Sequence, residues 1–171
     1  MKRFLIVSIF LGVFALNISA QQKELLAVMI FKNNSNTSPY TTRYYPEELC
    51  GLITTEFYNV NKFKMIERTR INTVINEQRF QETNMSNRQI KTVGQILGVR
   101  KIIIGECFFR GGTFSANVRM VDAQTGAIDI SVSCTVNDKI DMGYFVINLK
   151  EDEMLNYLAE YIVESIMERY R

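Results

Sequence analysis

KFKMIERTRINTVINEQRF, residues 62–80, decides the fold. A short apolar strand meets a polar break at Glu67, Arg68 and Thr69. Then comes a helix from about Arg70 to Phe80, whose positions Ile71, Val74, Ile75 and Gln78 recur at three and four residues and so share one face. A strand that runs straight into an amphipathic helix is the unit from which layered α/β sheets are built. The same grammar extends to both sides of this stretch.

Upstream, ELLAVMIF (residues 24–31) is a near-continuous apolar run, the pattern of a strand covered on both faces and therefore central. Residues 32–45 are polar and carry Pro39, Tyr40, Arg43, Tyr44 and Tyr45, which reads as a long loop. The loop contains no glycine, so it offers no phosphate cradle. Pro46 opens a helix where its missing N–H costs nothing, and Glu47 and Glu48 suit the positive end of the dipole. Leu49, Leu52, Ile53, Phe57 and Val60 form its apolar face, and burying each large side chain contributes roughly 1.5–3 kcal/mol.

Downstream, residues 81–85 make a polar connection. Ser86 and Gln89 make a capping box, Ile90, Val93 and Leu97 a stripe, and Gly98 a stop. VRKIIIGECFF (residues 99–109) returns to strand. FSANVRMVD (residues 114–122) alternates, and the four residues 110–113 between them are short enough for a hairpin. Residues 127–136 alternate as well, with Ile128, Ile130, Val132, Cys134 and Val136 expected inward. The turn DAQTG (residues 122–126) places Gly126 where a bulged hairpin needs positive φ. Residues 137–149 read as irregular. Residues 151–170 read as a long amphipathic helix, acidic at its start and closed by Arg169 and Arg171. Its stripe is Met154, Leu155, Leu158, Ala159, Ile162, Val163, Ile166 and Met167, expected to cover the sheet; a partner helix or a membrane surface is the alternative. The predicted order is β-α-β-α-α-β-β-β-α, an α/β (α+β) fold with one mixed β-sheet of about five strands flanked by helices.

Residues 1–20 stand apart: Lys2 and Arg3, an unbroken apolar run to Leu16, then a short segment ending at Ala20. This is the layout of a secretory signal peptide cut before Gln21. An uncleaved anchor would need about 18 apolar residues, more than this run supplies. No Cys follows the small residues, so no bacterial lipid anchor is expected. Residues 21–171 are the length of one domain with its own core. Without Lys2 and Arg3 the 20 basic residues fall to 18, equal to the 18 acidic ones. A zero balance lacks the basic excess that phosphate backbones attract, so no nucleic-acid partner is expected.

The chain has no His, which removes Ser-His-Asp and Cys-His catalysis and most zinc sites. Cys50, Cys107 and Cys134 form no CxxC pair. They are odd in number, and Cys107 and Cys134 fit small core positions better than a disulfide. No cofactor and no metal are expected, and a binding module is favoured over an enzyme. The candidate site is the loop bearing Tyr40, Arg43, Tyr44 and Tyr45. It leaves the C-terminal end of the first strand, where open α/β sheets bind ligands, and holds residue types enriched at interfaces. An ordinary solvated loop is the alternative.

LAVMIF (residues 26–31), FKMIERTRINTVINEQRF (63–80), LGVRKIIIGE (97–106) and NVRMVDAQTGAI (117–128) together resemble the periplasmic domain of the CsgG-like family. This family is that of the curli secretion channel, with the N-terminal domain of TolB and LpoB as wider relatives. The resemblance rests on a strand-ER-helix-E pattern (Glu67, Arg68, Glu77) and a D-x-x-T-G turn (Asp122, Thr125, Gly126), and both imply structural roles. Channel members insert two membrane hairpins, for which residues 110–113 and 137–149 leave too little chain, since each needs about 20 residues. The resemblance therefore implies a periplasmic protein-binding or assembly module without its own pore, working in outer-membrane export or envelope assembly. A homo-oligomer built through its helices is compatible with it. The alternative it implies is an LpoB-like regulator docking on a peptidoglycan synthase.

Overall fold

A computed structural model describes residues 23–35, 44–81, 83, 85–141 and 146–170, with backbone alone at 140, 141, 146 and 147. The expected leader, residues 1–20, lies outside them. The elements are β1 (Leu25–Val28), β2 (Lys32–Asn33), α1 (Tyr45–Val60), β3 (Lys64–Met65), α2 (Arg68–Glu77), α3 (Asn87–Leu97), β4 (Lys101–Arg110), β5 (Thr113–Asp122), β6 (Ile128–Asn137), β7 (Lys139–Asp141), β8 (Val146–Asn148) and α4 (Glu151–Arg169).

One mixed sheet runs β3-β1-β4-β5-β6, with β2 added beside β4. The chain steps from β1 to β3 in one direction through α1, then back across β1 to β4 through α2 and α3. Crossovers between parallel strands are right-handed, so reversing the direction sends the connecting helices to opposite faces. The packing follows that rule. Leu49, Ile53 and Phe57 of α1 join Leu155, Leu158 and Ile162 of α4 over Val28, Ile103, Val118 and Val132. Ile71 and Val74 of α2 join Ile90 and Val93 of α3 over Ala27, Ile102 and Val121. The long stripe of α4 therefore covers a sheet face, as its pattern predicts.

Five local readings are corrected. Val60, expected on the apolar face of α1, is exposed at the last position of that helix. Residues 32 and 33 do not begin a free loop: they form β2, parallel to Glu106 and Cys107 of β4. β4 is ten residues long and outlasts β1, so its upper half needs hydrogen-bond partners that the chain leaving β1 supplies. The α2 helix starts at Arg68 and ends at Glu77, and Gln78 is exposed at its C-cap rather than part of the apolar face. Ile128 is 53% exposed instead of inward, because the β5–β6 register shifts between Met120 and Val121. Residues 139–141 and 146–148 are not irregular; they pair as a separate short hairpin. The capping box of Ser86 with Gln89 and the α3 stop at Gly98 form as read from the sequence.

Cys107 and Cys134 are free thiols. Both lie opposite Ala116, one on each side. Two strand spacings of about 4.8 Å separate them, beyond disulfide reach. Burial raises the Cys107 thiol to about 12 and the Cys134 thiol to about 11, so both are protonated at neutral pH.

Gly94 shows how closely α3 approaches the sheet. A Cβ placed there would lie 2.4 Å from the Cβ of Ala123. Helix preference favours Ala over Gly by about 1 kcal/mol, while overpacking a filled contact costs about 1–3 kcal/mol. Gly94→Ala is therefore expected to lower the thermal midpoint despite the better helix former. Adding Ala123→Gly is expected to restore most of it, as read by thermal denaturation of both variants.

Candidate functional site

The loop candidate lies partly in view. Tyr40 and Arg43 fall outside the described residues. Tyr44 is 71% exposed at the start of α1. Its neighbour Tyr45 turns inward, edge-on to Phe114 at 4.9 Å and to Phe109 at 5.3 Å between ring centroids, and those two rings stack on each other. The Tyr45 hydroxyl donates to the carboxylate of Glu151 at the first turn of α4. Burial first, and the Glu151 carboxylate second, push this phenol up to about 12. Tyr45 thus ties α1 to α4 and to the β4–β5 hairpin, and Tyr44 is the tyrosine of this pair that a partner can reach.

The D-x-x-T-G turn forms a tight polar knot. One carboxylate oxygen of Asp122 accepts from the backbone N–H groups of Thr125 (2.9 Å) and Gln124 (3.0 Å) and from the Thr125 hydroxyl (3.1 Å). The other accepts from Lys101 Nζ at 3.1 Å, and the same ammonium reaches Asp129 at 2.7 Å. Arg100 lies 3.6 Å from Asp122 and 3.8 Å from Glu24. The Thr125 N–H, with help from Lys101, holds the Asp122 carboxyl well below the usual carboxylate range against the opposing effect of burial. Burial pulls the Lys101 ammonium down, but hydrogen bonds to Asp129 and Asp122 outweigh it and its pKa is raised. Gly126 closes the turn at φ +75°, a conformation that L side chains rarely adopt. The sequence reading found Asp122, Thr125 and Gly126 but missed Lys101 and Asp129. Alternation in KIIIGE gives a signal for Lys101, which shares parity with the buried Ile103 and so is drawn inward.

Arg68 donates to the Val28 carbonyl at 3.3 Å across the strand-to-helix corner. Glu67 is the exposed N-cap residue of α2, and its side chain makes no cap hydrogen bond. Glu77 is exposed at the other end of that helix. Arg68 is drawn into the corner; the two glutamates are not brought together with it into one site.

A third region had no sequence signal. The helices α2 and α3 cover β1 and the adjoining ends of β4 and β5, leaving a polar sheet face of Glu106, Ser115, Asn117, Ser133 and Thr135. Glu106 accepts from Asn34 at 2.7 Å and from Asn117 at 3.3 Å. Beside it opens a cleft of about 270 Å³ lined by Ile30, Lys32, Met85, Ile104, Glu106 and Arg119. Charges of both signs and bonded amides suit the recognition of polar chains. Among the described residues no cluster of His, Cys, Asp and Glu could hold a metal ion, and no helix is long and apolar enough to cross a membrane.

Residues 13–108 match the family model of the curli production assembly/transport component CsgG. The chain belongs to the CsgG family. Among solved structures its fold is similar to the LpoB C-terminal domain from Escherichia coli, with a TM-score of 0.55 and 14% identity over 67% of this chain and 82% of that one. It is also similar to lipoprotein GNA1162 from Neisseria meningitidis, with a TM-score of 0.54 and 16% identity over 86% of this chain and 99% of that one. No curated protein matches the chain in sequence. In this family member the β4–β5 hairpin closes at once through Gly111 and Gly112, and β7 and β8 have three residues each.

Two outcomes check the site's internal chemistry. Removing the packed ring in Tyr45→Ala is expected to cost about 2–4 kcal/mol in denaturant unfolding, whereas Tyr44→Ala should stay within about 0.5 kcal/mol of wild type. Because the Asp122 pKa is depressed on folding, its stabilisation is present above the unfolded value near 3.9 and fades as pH falls through the lower folded value. Asp122→Ala is therefore expected to be less stable than wild type at pH 7 and to lose less on going from pH 5 to pH 2, as measured by urea unfolding at each pH.

Proposed function

We propose that this protein is a non-enzymatic binding and assembly module of the cell envelope. It is exported by its leader to the periplasm and works with outer-membrane export machinery of the curli-secretion type. The observation that carries the reading is a CsgG-family domain in which, at the two places where channel members send out a membrane hairpin, β4 and β5 are joined by a two-residue turn and β7 and β8 pair over three residues each. A spanning β-strand needs about 9–11 residues beyond the soluble sheet; this chain keeps the scaffold and commits its hairpin residues to the sheet and to a three-residue ladder. The exposed Tyr44 beside the packed Tyr45 cluster supplies an anchor of the kind that protein interfaces use, and Tyr40 and Arg43, close by in the sequence, are residue types of the same kind. The protein acts by holding a protein partner, without nucleic acid, cofactor or a membrane span of its own. A second reading, a regulator docking on a peptidoglycan synthase, is favoured by the fold shared with the LpoB C-terminal domain.

A photoreactive amino acid placed at Tyr44 and activated in cells tests this reading. Crosslinks to outer-membrane export components are expected, from a mature chain whose N-terminus by mass spectrometry is Gln21. Crosslinks to a cell-wall synthase would replace the first reading with the second. No crosslinked protein, or substrate turnover by the purified chain, would remove both.

A further inference from the structure

We propose that the outer edge of β6 is a docking site for an extended, Lys- or Arg-bearing segment of a partner protein, which joins the sheet as its next strand. The inference rests on the reading of the chain as a binding module and names the class of segment it takes.

The two-residue turn makes Arg110 and Thr113 a hydrogen-bonded pair, and bonded pairs alternate along antiparallel strands. Odd-numbered residues of β5 thus bond to β4 and even-numbered ones to β6. In β6 the residues turned toward β5 are Ile130, Val132, Cys134 and Val136. Ser131, Ser133 and Thr135 turn their backbone N–H and C=O groups outward, away from the sheet. Among the described residues one of these groups is met, the Ser131 carbonyl, by Arg169 Nη1 at 2.8 Å. Sheet edges are usually guarded by proline, lysine, bulges or brevity. Residues 128–137 contain no proline and no lysine, run for ten residues, and have their register shift at the far end, near Met120 and Val121. The outward side chains are small hydroxyls on the uncovered face; the one bulky group placed at this edge is Arg169 on the Ser131 carbonyl, and it leaves the outward groups of Ser133 and Thr135 open to an incoming strand.

The occupant is selected by α4, which lies over β6. It carries six acidic residues and one basic residue, Arg169. Glu160, Glu164 and Glu168 repeat at four residues and share an exposed face with Tyr157 and Tyr161. Like charges at this spacing repel, and Glu164 and Glu168 lie toward the helix C-terminus, where the dipole disfavours them. Among the described residues none of the three has an ion-pair partner. Folding gains no ion pair from this row. If two copies paired edge to edge, two such helices would lie side by side over the joined sheet, and like charge would oppose the pairing. A strand with Lys or Arg on its α4 side complements the row, while its backbone completes the ladder. The three outward residues span about 13 Å, so a segment of five or six residues suffices.

The test uses a labelled, end-blocked octapeptide of alternating lysine and valine, followed by fluorescence anisotropy at low salt. Saturable binding to the wild-type protein is expected. Ser133→Pro and Thr135→Pro should each weaken it at least tenfold while the circular dichroism spectrum stays unchanged, because proline there removes an N–H that no internal bond uses. A control independent of the variants' folding is the same peptide N-methylated on alternate residues in each of the two phases. One phase should lose binding, and a glutamate-valine octapeptide should bind at least tenfold more weakly. The proposal is overturned if wild type does not bind, if both methylated peptides bind like the parent, or if folded Ser133→Pro binds normally. A wild-type dimer abolished by Ser133→Pro would also overturn it, giving the edge to a second copy. The in-cell crosslinks at Tyr44 test the binding-module reading separately.

Discussion

The contact between Lys101 and Asp122 is the constraint on which the rest of the sheet depends. Both residues are buried, at the point where β4 begins and β5 ends. A buried charge is tolerable only when its partner and hydrogen bonds are in place. Here one Asp122 oxygen is filled by the turn that follows it and the other by Lys101. The pair therefore locks the β5–β6 turn to the start of β4, and with it the register of three antiparallel strands. Asp129 draws the same ammonium toward β6 and joins the third strand to the knot.

That register fixes where everything else can go. With β4 held, its ten residues extend past the end of β1, and the chain leaving β1 must continue beside it as β2 before it can form a loop. Ser35 completes the ladder by accepting from the Phe109 N–H at 2.8 Å. Ser35 thereby sits at the far end of β4, beside the aromatic cluster of Tyr45, Phe109 and Phe114. The opposite reach of the two crossovers puts α1 with α4 on one face and α2 with α3 on the other. Two helices cannot cover a face this wide, so the half carrying Glu106 and Asn117 stays open and polar. Among the described residues β6 ends the sheet without a neighbour.

These features agree in their chemistry. Rigid ring packing presents Tyr44, hydrogen-bonded amides hold Glu106, and buried thiols stay protonated. Each arrangement gives shape and hydrogen-bonding capacity to a surface, and none activates a nucleophile. These are the features on which the proposed role as a binding module rests.

The sequence by itself determined the layers of this protein. Periodicity in residues 62–80, the apolar run at 24–31, the capping box at Ser86 and the stripe of α4 are local patterns, because a helix or strand exposes its own repeat. The turn motif was legible for the same reason: Asp122, Thr125 and Gly126 serve each other within five residues. What the tertiary structure alone decided involves partners distant in the chain. Tyr45 reads as an interface residue until Phe109, Phe114 and Glu151 enclose it. Ile128 reads as inward until a one-residue slip against β5 turns it out. Lys32 and Asn33 read as loop until the length of β4 requires a strand beside it. The meeting of Lys101 with Asp129, and the place of β6 at the end of the strand order, likewise follow from sheet topology, which no local pattern encodes because hydrogen-bonded neighbours in a sheet are chosen by the packing of the whole.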